Sequence, residues 1–172
     1  DVRAFVKQLS DQAQQLSVEA EIICLDDLSE PSFKKLNDGL SDIPLVKYIE
    51  SDINLGRSAV RNKLAELSSY EHLLFLDCDG ECVSDDYLQQ YTAQIQDYDV
   101  IYGGRVYQEF RPVDDNLHFH WYCGTAREEI LVEVRSANPY KTFMTNNFLI
   151  RKAVYDQVKM DESIVGYGHE DT

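Results

Sequence analysis

The sequence predicts a layered α/β fold with a mainly parallel sheet, and three observations lead to that class. Short apolar runs alternate along the chain with segments in which apolar residues recur every three or four positions, as in helices packed on strands. The run at 73–76 has no polar alternation, which is typical of a strand buried on both faces. No repeat or low-complexity tract interrupts the pattern. We therefore predict a single domain over residues 1–172.

The individual elements follow from periodicity and from turn residues. Residues 2–16 carry apolar side chains at helical steps and predict the first helix. A turn at 54–56 predicts the start of another helix, and Ser84 is the expected N-cap of a third. The segment 111–137 gives no clear pattern, and a short helix is expected after the last strand. Strands are predicted over 19–25, 44–50, 73–76, 99–104 and 145–152, with 105–110 as a more exposed continuation of the fourth.

Composition excludes several classes of function. The 172 residues are 44% hydrophobic, enough for a sizeable core, and 16 basic against 31 acidic side chains give a net charge of −15. That charge opposes binding to nucleic acid or to an anionic membrane through a basic surface. The four cysteines form no CxxC pair, so we interpret them as reduced thiols of a cytosolic protein. No apolar stretch approaches the ~20 residues of a membrane span.

Two carboxylates one residue apart, Asp77 and Asp79, directly follow the buried apolar run. Ligands of open α/β sheets bind where strands end, and paired hard oxygen ligands at that edge favour Mg²⁺ or Mn²⁺. The alternative is a simple turn, because Asp-x-Asp-Gly is good turn chemistry. A calcium-binding EF-hand loop starting at Asp77 fails on spacing, since its sixth and twelfth positions hold Cys82 and Leu88 instead of glycine and glutamate.

Four polar motifs occur in order along the chain: DDLS at 26–29, NLGRSAVRN at 54–62, DCD at 77–79 and GYGHED at 166–171. In this combination the chain resembles the family 2 glycosyltransferases, whose members show a DDxS turn, an N-x-G-x-x-x-A-R-N segment, a DxD motif and a late acidic pair. The combination is much more specific than any single motif. The resemblance implies a GT-A fold, with a nucleotide-binding half over 1–104 and an acceptor-side half over 105–172.

The resemblance implies that the first three motifs bind the donor, a nucleotide sugar with UDP as the expected nucleotide. Asp77 and Asp79 would hold the nucleotide together with a divalent metal, Mn²⁺ or Mg²⁺. The cation would neutralise the diphosphate as charge accumulates on it. The resemblance implies that Asp26 or Asp27 contacts the nucleobase or ribose. It also implies that Arg57 or Arg61 is a further donor-site group.

The last motif is implied to act on the acceptor. Asp171 would be the general base of an inverting transfer, and Glu170 would hold the acceptor. The alternative is an acidic helix N-terminus, where such residues only favour the dipole. The aromatic segment 118–122 predicts either a stacking surface for a sugar or a packed core cluster. The asparagine pair Asn146–Asn147 could bind an acceptor or satisfy backbone groups at a strand start.

Both ends depart from the family pattern. The chain has no strand with a P-x-Y-N-like turn before Asp1, and after Thr172 it has neither the next helix nor the further metal ligand, commonly histidine. We therefore expect a piece of a longer polypeptide, whose own activity is in question. In the resembled fold the first strand lies between the strands that end at Asp27 and Asp77. Because unpaired backbone groups in buried strands are costly, we expect those two strands to close together or another chain to fill the gap.

Three functions are compatible with these observations. The leading interpretation is an inverting, metal-dependent glycosyltransferase of hexosyl or N-acetylhexosaminyl type, active in polysaccharide biosynthesis on a glycan or lipid-linked hydroxyl. A sugar nucleotidyltransferase is the second, although the chain lacks a glycine-rich basic phosphate loop. A non-catalytic carbohydrate-binding or scaffolding domain is the third. We expect no nucleic-acid partner, no integral membrane segment, a cytoplasmic location and, for the full-length protein, a peripheral position at the inner face of the membrane.

Overall fold

A computed structural model of the chain describes residues 2–164 and confirms the α/β class. Within that range no helix has the length and apolar character needed to cross a membrane. Two short 3₁₀ helices cover Leu40–Asp42 and Asp115–Leu117. The strands are β1 (Ile22–Asp26), β2 (Val46–Glu50), β3 (His72–Leu76), β4 (Val100–Tyr102) and β5 (Asn147–Arg151). The helices are α1 (Val2–Ala13), α2 (Pro31–Leu36), α3 (Arg57–Leu67), α4 (Tyr87–Thr92), α5 (His118–Arg127), α6 (Val132–Ala137), α7 (Pro139–Thr142) and α8 (Lys152–Val158).

Most predicted elements are present, and two local predictions are wrong. Ser84 does not cap a helix, because α4 begins only at Tyr87 and the carbonyl oxygen of Ser84 instead accepts a hydrogen bond of 2.9 Å from the Gln12 amide on α1. The segment 105–110 is not a strand. The chain turns away from β4 at Gly104, whose φ of 84° lies in the region that favours glycine.

The strands form two sheets whose pairings differ in direction. β1 and β2 pair in parallel, whereas β5 lies between β3 and β4 and is antiparallel to both. The prediction of a mainly parallel sheet is therefore wrong for the second sheet. Since β3 and β4 both run opposite to β5, they run in the same direction and their carboxyl ends lie at the same edge.

The predicted closure of β1 onto β3 is also wrong. Among the described residues β1 pairs with β2 alone, and β3 pairs with β5 alone. Helix α3 connects the two sheets, because it contacts β1 while its Ala65 packs with Leu73 and Phe75 of β3. Helix α1 contacts both β1 and α4. The two edge strands are thus held by shared helices without joining, and the alternative that another chain fills the gap stays a prediction.

The main hydrophobic core lies beneath the end of β3. Phe75 stacks on Phe148 of β5 and on Tyr155 of α8, with ring centroids 5.0 and 5.1 Å apart. All three rings are buried, and such stacked pairs add to the free energy gained from removing apolar area from water. A second cluster of Val6, Leu40 and Val46 joins α1 to β2. The first cluster fixes the backbone position from which Asp77 leaves the sheet.

Candidate functional site

The carboxylate of Asp27 fixes the N-terminus of α3. Its two oxygens accept hydrogen bonds from the backbone N–H groups of Leu55 at 2.6 Å and of Gly56 at 2.9 Å. Gly56 has a φ of 82°, which a side chain would strain. Negative charge beside the first amides of a helix is also favoured by the helix dipole. Asp27 therefore holds α3 against the end of β1.

Asp26 is 8% exposed and has two partners within the protein. Its Oδ1 accepts a hydrogen bond from the backbone N–H of Ser29 at 2.7 Å, and its Oδ2 accepts one from the Tyr48 hydroxyl at 3.2 Å. A buried carboxylate such as Asp26 needs such partners, and the bonds of Asp27 hold α3, so both aspartates of the DDLS motif have a structural role. A contact of either carboxylate with a nucleotide stays a prediction.

Arg61 and Asp77 form an ion pair between α3 and the end of β3. Arg61 is 8% exposed, and its Nη2 donates to Asp77 Oδ1 at 3.0 Å and to the Thr145 carbonyl oxygen at 3.4 Å. Because a helix rises 1.5 Å per residue, Gly56 and Arg61 lie about 7.5 Å apart along α3. The structure therefore brings Asp27 and Asp77 to the N-terminal half of the same helix.

The pKa of Asp77 is raised above its ordinary value. Burial is the main cause, and the negative charge of Asp79 adds to it. The positive charges of Arg61, Arg57 and Arg105 lower this pKa, but they do not cancel the upward shift. Ionisation of Asp77 therefore costs more free energy in the folded chain than in water, and a bound cation would offset that cost.

Asp77 and Asp79 are the residues that could hold a divalent metal. Within residues 2–164 no group of three histidine, cysteine, aspartate or glutamate side chains forms a metal site. Mg²⁺ in nucleotide sites is commonly bound by one or two carboxylates, with substrate phosphates and water completing the shell. Two neighbouring carboxylates, of which Asp79 raises the pKa of Asp77, fit that incomplete ligand set. Metal binding itself stays a prediction.

Sequence reasoning missed a polar cluster of Arg105, Tyr107 and Glu128. Glu128 Oε2 accepts a hydrogen bond from Arg105 Nη1 and another from the Tyr107 hydroxyl, each at 2.6 Å. Although burial opposes it, these bonds lower the pKa of Glu128 below its ordinary value. The available signal was the pair Gly103-Gly104 before Arg105, which indicates a close approach but not its partner.

The aromatic segment of the acceptor-side half lies on α5. Helix α5 buries only Gly124, so the interpretation as a packed core cluster is wrong. Trp121 donates its Nε1–H to the Gln108 carbonyl oxygen at 2.8 Å, and a ring nitrogen of His118 lies 2.8 Å from the Pro112 carbonyl oxygen. Stacking of Trp121 on a sugar stays a prediction.

The two asparagines at the start of β5 differ in their surroundings. Asn147 has a structural role, because its side chain accepts hydrogen bonds from the hydroxyls of Tyr87 and Tyr91 and donates to the Gly104 carbonyl oxygen at 3.0 Å. Asn146 Oδ1 is buried and has no hydrogen-bond partner between residues 2 and 164. Glu170 and Asp171 lie outside the described residues.

Comparison with known proteins assigns the chain to a family. The model of Glycosyl transferase family 2 matches residues 1–159, and the chain belongs to that family. The crystal structure of S. aureus TarS 1-349 is similar, with 18% sequence identity and a TM-score of 0.63. The match covers 99% of this chain and 50% of that one, so the chain spans about half the length of that structure. The GT-A fold is thereby confirmed. Among curated proteins no match is found.

Proposed function

We propose that the protein is a metal-dependent, inverting glycosyltransferase that transfers a sugar from a nucleotide diphosphate, with UDP expected, to a hydroxyl of a glycan or lipid-linked acceptor. The observation that carries this proposal is Asp77, held by Arg61 at the end of β3 and beside Asp79, with a raised pKa. Perturbed carboxylates at a strand end are typical of functional sites in this fold class.

On the donor side, Asp77 and Asp79 would hold the divalent cation, Mn²⁺ or Mg²⁺. When bound, the cation supplies positive charge that stabilises the departing diphosphate. Arg61 orients Asp77, while Arg57 adds positive charge near it. The carboxylate oxygens of Asp27 retain lone pairs beyond their bonds to backbone amides, so contact with a ribose or nucleobase is compatible with its structural role.

On the acceptor side, we assign the general base to Asp171 and acceptor binding to Glu170. The acceptor oxygen forms its bond to the anomeric carbon as the bond from that carbon to the diphosphate oxygen breaks, and Asp171 takes the hydroxyl proton. A single displacement of this kind inverts the anomeric configuration. The exposed apolar rings of Phe119 and Tyr122 on α5 suit a lipid-linked acceptor.

We further propose a hexosyl or N-acetylhexosaminyl donor and a role in polysaccharide biosynthesis. A lipid-linked acceptor would place the protein in the cytoplasm at the inner face of the membrane. The net charge of −15 disfavours attraction to an anionic lipid surface, so the apolar face of α5 is the better candidate for that approach.

Calorimetric titration of UDP with and without Mn²⁺ tests the donor site. We expect Mn²⁺ to strengthen UDP binding in the wild type, and Asp79→Ala to remove that dependence. Asp85→Ala is the matched control, because it removes an exposed carboxylate from the same loop. UDP binding that is indifferent to Mn²⁺ would contradict the donor-site assignment, and sugar binding without nucleotide would favour the non-catalytic module.

The acceptor assignment is tested in the longest active form of the protein. Asp171→Asn should retain UDP binding and lose transfer, because an amide cannot accept the proton. Normal turnover by this variant would show that Asp171 is not the base. Consumption of a sugar 1-phosphate and a nucleoside triphosphate, with release of pyrophosphate, would instead identify a nucleotidyltransferase.

A further inference from the structure

Arg105 lies at the same edge of the sheet as the DxD motif. The backbone N–H of Asp77 donates to the Asn146 carbonyl oxygen at 3.0 Å. The backbone N–H of Gly103 donates to the Asn147 carbonyl oxygen at 3.1 Å. The ends of β3 and β4 therefore flank the start of β5, roughly 10 Å apart, since neighbouring strands are spaced by ~4.8 Å. Arg105 follows Gly103 by two residues, and the chain has turned at Gly104.

The guanidinium of Arg105 is anchored through one nitrogen. Its Nη1 donates to Glu128 Oε2 at 2.6 Å and lies 3.4 Å from the Tyr107 hydroxyl oxygen, which itself donates to Glu128. The remaining donors, on Nε and Nη2, have no hydrogen-bond partner within residues 2–164. The side chain is 30% exposed, so a ligand can reach it. Arg105 thus has a fixed orientation and unused donors.

Positive charge is scarce in this protein but concentrated around Asp77. Only 16 of the 172 residues are lysine or arginine, and three of them, Arg57, Arg61 and Arg105, act electrostatically on Asp77. Arg61 is buried and its Nη2 is used by Asp77 and Thr145. Arg105 is therefore better placed than Arg61 to bind an anionic ligand at this edge.

We propose that Arg105 binds the diphosphate of the nucleotide donor, and that Glu128 and Tyr107 are positioning residues that orient its guanidinium. The proposal rests on the proposed function, because it assigns the residue that recognises the leaving group. A guanidinium fork matches two phosphate oxygens, and a preorganised cation stabilises the charge that develops on a leaving diphosphate. In an acidic protein, a fixed arginine gives the anion a local binding site that the net charge does not.

Calorimetric titrations with inorganic pyrophosphate, UDP and uridine, in EDTA and in Mn²⁺, test the proposal. We expect Arg105→Gln to weaken pyrophosphate and UDP binding by about tenfold or more, as for the loss of a charge-assisted hydrogen bond, and to leave uridine binding unchanged. The affinity of Arg105→Lys for pyrophosphate and UDP should lie between those of the wild type and Arg105→Gln, because lysine keeps the charge and loses the planar guanidinium fork. Arg127→Gln is the matched control, an exposed arginine on the same acceptor-side half, and should bind all three ligands as the wild type does.

A structural role of the cluster is separated from anion binding by Tyr107→Phe. This variant breaks the hydroxyl contact with Glu128 but keeps the positive charge, so its loss of UDP affinity should be smaller than that of Arg105→Gln. Equal losses for the two variants, a parallel loss of uridine binding, or unchanged pyrophosphate and UDP binding in Arg105→Gln would each overturn the proposal. Absence of UDP binding in the wild type would instead overturn the proposed function.

Discussion

Replacement of Asn62 by alanine should destabilise the fold strongly, because this one side chain anchors the segment after α8. Asn62 is 5% exposed and uses its full hydrogen-bonding capacity. Its Oδ1 accepts from the Tyr155 hydroxyl and the Met160 N–H, both at 2.9 Å. Its Nδ2 donates to the Met160 carbonyl oxygen at 2.9 Å and to Glu162 Oε1 at 2.8 Å.

The size of the effect follows from these four bonds. Each contributes roughly 1 kcal/mol net, and groups left buried without a partner cost more, so Asn62→Ala should lower the free energy of unfolding by about 2–4 kcal/mol. For a chain of this length that corresponds to a fall in Tm of about 5–15 °C. Urea unfolding followed by circular dichroism, with an unchanged m-value, measures the difference.

Two further variants make this prediction specific. Tyr155→Phe removes a single bond to Asn62 and should cost about 1 kcal/mol. Asn116→Ala is the control, since Asn116 is exposed and its side chain bonds only locally to Asp114, and it should change stability by less than ~0.5 kcal/mol. A loss below about 1 kcal/mol for Asn62→Ala would refute the reasoning that Asn62 holds the segment after α8.

Three other expectations concern the site and the sheets. Because the pKa of Asp77 is raised, acidification should weaken Mn²⁺-dependent UDP binding at a higher pH than it would with an aspartate of ordinary pKa. Titrations of UDP at a series of pH values measure this. Weakening only in the pH range where an ordinary aspartate is protonated would contradict the expectation. The same shift means that the contribution of Asp77 to stability falls as the pH rises through its folded pKa. Gly103→Ala should destabilise strongly in thermal unfolding, since an added Cβ would lie 1.9 Å from the Tyr91 hydroxyl oxygen, whereas Gly80→Ala meets only a carbonyl oxygen at 3.6 Å and should be tolerated. Hydrogen exchange should be faster at Ile23 than at Cys24, because the even-numbered amides of β1 face β2, and equal protection would indicate a partner on the free edge.

Sequence pattern predicted those parts of the fold that local composition determines. The run at 73–76 is recognisable as a strand because it is continuously apolar and ends in acids that meet solvent, although only Leu73 and Phe75 are buried and Leu74 and Leu76 are half-buried. The antiparallel insertion of β5 was not predictable, since an apolar run indicates a strand but not its neighbours or direction. Helices α5 and α6 were missed because their apolar residues, such as Phe119 and Val134, are exposed and follow no buried stripe.

The structural role of the Arg61–Asn62 pair in the motif is visible only in three dimensions. Asn62 bonds to Met160 and Glu162, which lie 98 and 100 positions further along the chain. Helix α3 connects three parts of the described structure: Asp27 holds its start, Arg61 holds Asp77, and Asn62 holds the segment at Met160 and Glu162. Because all three contacts are made by one short helix and the two residues before it, a shift of α3 would move Asp27, Asp77 and the segment at Met160 together. The motif at 54–62 therefore acts through position as much as through any contact with a ligand.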